Sequence, residues 1–280
     1  MADSLPADLP EQVSRALRED IGSGDVTAGL LAERSTVRAS VICREPAVLC
    51  GRAWFDESFR QLDPRITVHW LLDEGADIAP STTVCELSGS ARALLSGERT
   101  ALNFLQLLSG TATIARRYVA AVAGTGCRVL DTRKTIPGLR TAQKYAVRCG
   151  GASNHRLGLF DQVLIKENHI AAAGSVAAAV RAARTQQPQL RIEVETENLA
   201  EFEQALVAGA DIIMLDDFAL EDVRRAVERN RAHQPSALLE VSGGVDLKRI
   251  RPFAETGVDF ISVGALTKHV KAIDLSLRVD

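Results

Sequence analysis

The chain has 280 residues, 46% of them hydrophobic, and a formal net charge of −3. That suffices for one large domain or a large and a small one, and the slight acidity gives no global pull toward nucleic acid or a membrane surface. No run approaches the roughly 20 apolar residues of a membrane-spanning helix, and the five cysteines, none in a C-x-x-C pair, suit buried thiols in a reducing compartment.

In chain order, "MADSLPADLPEQ" is polar and acidic and lacks the basic start and apolar middle of a signal peptide, so a cytoplasmic protein is expected. "EQVSRALREDI" reads as an amphipathic helix. "TVRASVICREPAVLCG" alternates like a strand and hairpin, and "RITVHWLL" and "TTVCELSG" follow as strands. Short strands clustered this way suggest an α+β domain. The stretch 91–124 is helical in pattern and carries Gly97 and Gly110, where breaks into two or three helices are expected.

From residue 127 the chain has a rhythm. Six short apolar runs, "CRVLD", "QVLIK", "RIEVE", "DIIML", "ALLEV" and "DFISV", are separated mostly by helical patterns. "NLAEFEQALVAG" opens with Asn198 as an N-cap and closes at Gly209, and "DLKRIRPFAETG" starts at Asp246. Alternating units of this length predict a parallel sheet, as an open or closed β/α barrel.

Ligands of parallel β/α folds bind at the C-terminal ends of the strands. Those ends carry Asp131-Thr132-Arg133-Lys134, then Lys166, then Glu195, then Asp216-Asp217, then Ser242-Gly243-Gly244, then Gly264-Ala265. "GGASNHRLGLF", between the first two strands, adds His155 and Arg156. Taken singly, a rim lysine is a solvated residue and Asp217 a helix cap. Together they make a cation cluster with two acids and two glycine-containing loops, which suits a ligand with several negative charges, one of them a phosphate. The acids imply a hard divalent cation such as Mg²⁺ or ligand hydroxyls. There is no H-E-x-x-H, G-x-S-x-G or Walker A sequence.

"REDIGSGDVT", "GERTALNFLQLLSGTAT", "DTRKTIPGLR", "GGASNHRLGL", "IKENHI", "EVETEN", "IMLDDF", "EVSGGV" and "ISVGALTKHV", in this order, resemble the quinolinate phosphoribosyltransferases. The resemblance implies an N-terminal α/β sandwich domain (1–105, with the tail 268–280) and an incomplete or irregular parallel β/α barrel (106–267). It implies transfer of phosphoribosyl from phosphoribosyl pyrophosphate to quinolinate with decarboxylation, giving nicotinate mononucleotide, pyrophosphate and CO2, with Mg²⁺ as cofactor. Thr132, Arg133, Lys134, His155, Arg156 and Lys166 would surround the quinolinate carboxylates. Arg99 would reach in from the other subunit of a homodimer or larger assembly. Glu195 and Asp216 would face ribose and metal, and Ser242, Gly243, Gly244, Gly264 and Ala265 would hold the 5′-phosphate. Lys134, Lys166, Glu195 and Asp216 are the catalytic candidates. Neither nucleic acid nor a membrane is an expected partner.

Three other readings bear on the same residues. A Schiff-base lyase would use Lys166, but that chemistry has no need of so many cations. A relative that keeps the fold but acts elsewhere, such as the molybdenum-transport-associated homologues or nicotinate phosphoribosyltransferase, is another reading, and the second of these has no need of a second carboxylate site. An anion-binding regulator lacks a DNA-binding or partner motif.

Overall fold

The computed structural model of the protein describes residues 5–279; residues 1–4 of the expected first domain and 280 of the tail lie outside them. In chain order its first elements are α1 (Leu9–Ile21), β1 (Thr36–Cys43), β2 (Ala47–Val48), α2 (Arg52–Leu62), β3 (Thr67–Trp70), β4 (Asp77–Ile78), β5 (Thr82–Ser90) and α3 (Ala91–Ala121). The alternation then runs β6 (Arg128–Leu130), α4 (Arg140–Cys149), β7 (Val163–Ile165), α5 (Glu167–Ala173), α6 (Val176–Gln186), β8 (Ile192–Thr196), α7 (Leu199–Val207), β9 (Ile212–Asp216) and α8 (Leu220–Ala232). It closes with β10 (Leu238–Ser242), α9 (Ile250–Ala254), β11 (Phe260–Ser262), α10 (Ala265–Lys268) and β12 (Leu275–Val279).

Two compact units result. The first comprises the residues up to Arg116, Thr135–Gly151, and those from Leu266 onward; the second comprises Arg117–Lys134 and Ala152–Ala265. The first holds an antiparallel sheet of order β12-β1-β5-β3. Phe55, Phe59, Leu94, Leu102 and Leu105 form a core with its buried residues Val41, Cys85 and Leu87. A second cluster joins Leu9, Val13 and Leu17 of α1 to Trp54, Leu108 and the α4 residues Ala142, Tyr145 and Ala146. The four-residue spacing on α1 sets its buried stripe, and Trp54 also donates its Nε1–H to Gln12 Oε1 at 2.8 Å. Helix α4 therefore packs with α1, although it falls in the stretch 106–267.

Two expectations fail in this unit. The strands β1 and β2 do not form a hairpin: β1 pairs with β5 and β12, and β2 pairs with β4. Helix α3 is not broken at Gly97 or Gly110 but runs for 31 residues. Both glycines are sites of close approach. A Cβ on Gly97 would stand 2.8 Å from a Leu62 methyl, and one on Gly110 would stand 2.2 Å from the Lys271 carbonyl oxygen. The local cost of glycine in a helix, about 1 kcal/mol, is offset by packing that no larger residue permits.

The second unit is a six-stranded parallel sheet of order β6-β11-β10-β9-β8-β7. Its edge strands β6 and β7 are not paired with each other. Instead Ser153 bridges the free edge of β6, donating its N–H to Val129 O at 2.9 Å and accepting from Asp131 N at 3.1 Å. The sheet is barrel-like but incomplete. Paired residues of a parallel sheet point the same way, so the register sorts the strands into two faces. Val194, Ile213, Leu215, Leu239, Val241 and Ile261 are buried on one. Glu193, Glu195, Asp216, Glu240, Ser242 and Ser262 belong to the other. Helix α7 is capped by Asn198, whose side chain accepts from the N–H groups of Ala200 and Glu201, and its C-terminal turn reaches Gly209 at φ 76°. Helix α9 begins later than its sequence suggests, because Asp246 caps a turn at Lys248 and Arg249 before Ile250.

Candidate active site

Every candidate site residue except Arg99 belongs to the second unit, and each lies at or just beyond the C-terminal end of a strand or in the segment after Ser153. Arg99 lies on α3 in the first unit, is 58% exposed, and among the described residues pairs only with Glu98, at 3.9 Å.

The segment beyond β6 is held by Asp131, which is fully buried. One of its oxygens accepts the His155 N–H at 2.9 Å and the other the Asn154 amide at 2.6 Å. Thr132 Oγ1 accepts the Lys134 N–H at 3.1 Å and fixes the turn that carries Arg133. Arg133 and Arg156 are both half-buried, and neither guanidinium makes an ion pair or side-chain hydrogen bond among the described residues. Arg156 is held below its usual pKa, first by burial and then by the positive charge of Arg133; the acids Glu193, Asp161 and Glu195 oppose this. Two guanidiniums are thus brought within mutual repulsion in a partly dehydrated place. An isolated pair of this kind is unfavourable until an anion joins it.

Lys166 ends β7 and caps α5, donating its N–H to His169 Nδ1 at 3.0 Å. Its ammonium forms a short ion pair with Glu195 at the end of β8. The Glu195 carboxylate is therefore a partner of Lys166 and not a bare anion. Asp216, at the end of β9, shares the face of Glu195 and stands across from Ser242. Glu195 and Asp216 offer an all-oxygen donor set that does not form a closed cage. This suits Mg²⁺, which keeps several waters and is held mostly through substrate phosphates.

Beyond β10, Gly243 adopts φ 93° and Gly244 φ 54°. A Cβ on Gly243 would meet Asp217 Oδ1 at 2.4 Å and its backbone N at 2.6 Å. Asp217 is not the cap of α8, whose N-cap is Ala219. It turns at φ 56° and donates its N–H to Ser242 O at 3.1 Å, tying the loop after β9 to the loop after β10. Gly264 follows β11; a Cβ there would meet the Lys134 side chain at 3.1 Å and Thr132 Oγ1 at 3.6 Å. Gly264 and Ala265 thus adjoin the turn after β6, as the β11–β6 pairing requires.

His155 is the surprise among the candidates. Its side chain is only 7% exposed, and its Nε2 faces two buried acids, Glu193 Oε2 at 3.1 Å and Glu240 Oε2 at 3.6 Å. Burial pushes the Glu240 carboxyl up to about 8, and the charge of Glu193 adds to the rise; His155 and a Ser262 hydrogen bond oppose it. Neither Glu193 nor Glu240 was singled out from the sequence. The signal was present: "RIEVE" alternates, so Glu193 must share the face of Glu195. A cavity of about 440 Å³ in the first unit, lined by Gln12, Arg15, Phe104 and Leu139 among others, holds none of the candidates.

Comparison with known proteins bears on this arrangement. The family profile described as quinolinate phosphoribosyl transferase, C-terminal domain, matches residues 111–278, and its N-terminal domain counterpart matches 25–109. A probable nicotinate-nucleotide pyrophosphorylase [carboxylating] of Synechocystis is 43% identical over 94% of this chain and 90% of its own length. The nicotinate-nucleotide pyrophosphorylase [carboxylating] of Mycobacterium leprae is 41% identical over 95% of each. The solved structure of the nicotinate-nucleotide pyrophosphorylase from Francisella tularensis superposes with a TM-score of 0.93 at 48% identity, covering 99% of this chain and 98% of that one.

Proposed function

The chain belongs to the quinolinate phosphoribosyltransferase family, and from that premise we infer that it transfers phosphoribosyl from phosphoribosyl pyrophosphate to quinolinate with loss of CO2. The products are nicotinate mononucleotide and pyrophosphate, a step of de novo NAD biosynthesis. The observation that carries this reading is the pair of half-buried guanidiniums, Arg133 and Arg156, without an anion of their own. Quinolinate has two adjacent ring carboxylates, and arginine forks match planar carboxylates.

In this reading Arg133, Lys134, Arg156 and Lys166, with Thr132 at the turn, take the two carboxylates and leave the pyridine nitrogen facing the anomeric carbon. Ser242, Gly243, Gly244, Gly264 and Ala265 take the 5′-phosphate through their backbone N–H groups. Glu195 and Asp216 face the ribose hydroxyls. They are also the residues that would hold Mg²⁺, which when bound supplies charge stabilisation to the departing pyrophosphate. No activated serine or cysteine is required, since the ring nitrogen is the nucleophile. Holding it in line at the anomeric carbon is the main work of the site. After transfer the ring nitrogen is positive, so the carbanion left by CO2 loss is stabilised within the substrate itself. Lys134 and Lys166 are the candidate proton donors of the set, and Lys166 is ion-paired with Glu195.

The assembly proposed is a homodimer at least, in which Arg99 of one subunit completes the other's site. No helix among the described residues is long and apolar enough to cross a membrane. The cytoplasm is the proposed compartment, and the cysteines are free thiols, as that compartment keeps them.

The test is an assay of the purified protein with quinolinate, phosphoribosyl pyrophosphate and Mg²⁺, followed for nicotinate mononucleotide. Nicotinate in place of quinolinate should react slower by several orders of magnitude, because one missing carboxylate leaves buried cations unmatched. Comparable turnover of the two acids would refute the assignment.

A further inference from the structure

A site that must attract anions has two carboxylic acids buried beneath it. Glu193 is 0% and Glu240 1% exposed. A polar group so deeply buried is costly unless it does something that a leucine does not.

The hydrogen bonds around His155 indicate what that is. The imidazole Nδ1 accepts the Arg156 N–H at 2.8 Å. A ring nitrogen that accepts an N–H carries no proton, so in this arrangement the ring proton sits on Nε2. Nε2 is the atom that faces Glu193 and Glu240. Glu193 Oε2 is itself fixed, accepting the Gln162 amide at 2.7 Å. Nε2 makes no hydrogen bond among the described residues, so the acids of β8 and β10 act on that end of the ring by close charge contact alone, while its other end accepts the main-chain N–H of Arg156. Asp131 anchors the same segment from β6 through the His155 N–H and the Asn154 side chain.

We propose that Glu193, seconded by Glu240, is a positioning residue for quinolinate: it holds the His155 ring in the orientation that fixes Arg156, and His155 acts through Arg156 instead of binding the substrate as a cation. The need for such a hold follows from the charges. The Arg156 guanidinium makes no ion pair or side-chain hydrogen bond with an acid among the described residues; it is repelled by Arg133 and attracted only at a distance by Glu193, Asp161 and Glu195. Left on a loose segment, it would swing away from Arg133 and into solvent. With the backbone fixed, it stays where a carboxylate needs it, and the organisation is in place before the ligand arrives. Without Glu193 the nearer of the two acids facing Nε2 is gone, and the ring's hold on the Arg156 N–H is weakened.

The proposal rests on the quinolinate reading, so its test begins with wild-type protein forming nicotinate mononucleotide; failure at that stage removes the reading and not merely the network. Two variants follow, Glu193→Leu and Glu193→Gln. Glu193→Leu should raise KM for quinolinate more than tenfold while KM for phosphoribosyl pyrophosphate stays within twofold. Glu193→Gln keeps an amide oxygen that can face Nε2–H, so it should recover most of the loss, leaving KM for quinolinate about threefold raised. In ¹⁵N-histidine spectra the Nε2-protonated tautomer of His155 should be present in wild type and lost in Glu193→Leu. A merely structural acid would lower the yield of active enzyme, and so the maximal rate, with both KM values unchanged. An unchanged KM for quinolinate, or equal increases for both substrates, overturns the proposal. If Glu193→Leu does not fold, Glu193→Gln decides by the ratio of its two KM changes.

Discussion

Replacing Glu240 by glutamine should make the stability of the second unit less sensitive to pH. The Glu240 side chain is 1% exposed, and its carboxyl is pushed from a usual 4.5 up to about 8. The groups facing it are Glu193 and Glu195 on β8, His155 on the segment after β6, and Ser262 on β11. A raised carboxyl means that the folded protein retains a proton that the unfolded chain releases. The stability due to that proton is complete below pH 4.5 and declines as pH climbs through 8. One pH unit inside the window is worth about 1.4 kcal/mol. Between pH 5 and pH 7 the wild type should therefore lose on the order of 2 kcal/mol through this group. Glu240→Gln keeps the size and neutrality of the protonated acid, and its amide can donate to Glu193. The variant should lack that loss, so the difference in unfolding free energy between the two proteins should shift by this amount, in favour of the variant at pH 7. Urea unfolding followed by far-UV circular dichroism at several pH values measures it. Tryptophan fluorescence would not, because Trp54 and Trp70 both lie in the first unit. Parallel curves for the two proteins would mean that Glu240 is ionised in the fold, and the reasoning would be wrong.

Gly264→Ala places a methyl 3.1 Å from the Lys134 side chain; it should lower kcat severalfold with little change in thermal stability, and an unaltered kcat would separate Lys134 from catalysis. Gly110→Ala sets a Cβ 2.2 Å from the Lys271 carbonyl oxygen, so it should destabilise the first unit by about 1–3 kcal/mol as overpacking does, read by tryptophan fluorescence in urea; a stabilised variant would show that helix propensity governs there. Arg99→Ala and Lys134→Ala should each be nearly inactive alone. Mixed in equal amounts and allowed to exchange subunits, they should regain roughly a quarter of wild-type activity, as two-fold symmetry requires of a shared site; no recovery after exchange proven by mass spectrometry would exclude a shared role for Arg99.

The barrel-like sheet was legible because its strands are short β-branched runs, each ending in polar residues, and all six runs coincide with β6 to β11. Asn198 was legible as a cap because its side chain serves only neighbours two and three residues on. What was not legible depends on distant partners. Gly97 and Gly110 look like helix breakers until Leu62 and Lys271 are seen against them. The β1–β2 hairpin looked right locally, but the partners of β1 are β5 and β12, the latter more than 200 residues on. The strand-end cations could be named from the sequence, yet the orientation of His155 could not. Its Nε2 faces Glu193 and Glu240, which are 38 and 85 residues away in the chain. Gly243 was expected to be needed for the approach of a phosphate. The structure adds a second need, since a Cβ there would strike Asp217 at a φ that side chains rarely adopt. A Gly243→Val variant would confuse the two causes.

The register explains how one face carries its acids at successive depths below the proposed anion site. Glu193 stands level with Ile212 and Leu238; Glu195 is level with Met214 and Glu240; Asp216 is level with Ser242. Successive levels rise toward the C-terminal ends of the strands. The lowest acid is out of reach of solvent and bears on His155, the middle one is paired with Lys166, and the uppermost lies beside the glycine loop. Charge is thus sorted by depth: the acids lie below, and the cations and the glycine loop beyond β10 lie at the rim, where the proposed function places the carboxylates and the phosphate. Such sorting depends on strict alternation in β8. A slip of one residue would bring Val194 to this face and turn Glu193 and Glu195 toward the apolar face, losing the Lys166 pair and the support of His155 together. The alternation of "RIEVE" is therefore as necessary to the site as the cations that first drew attention to it.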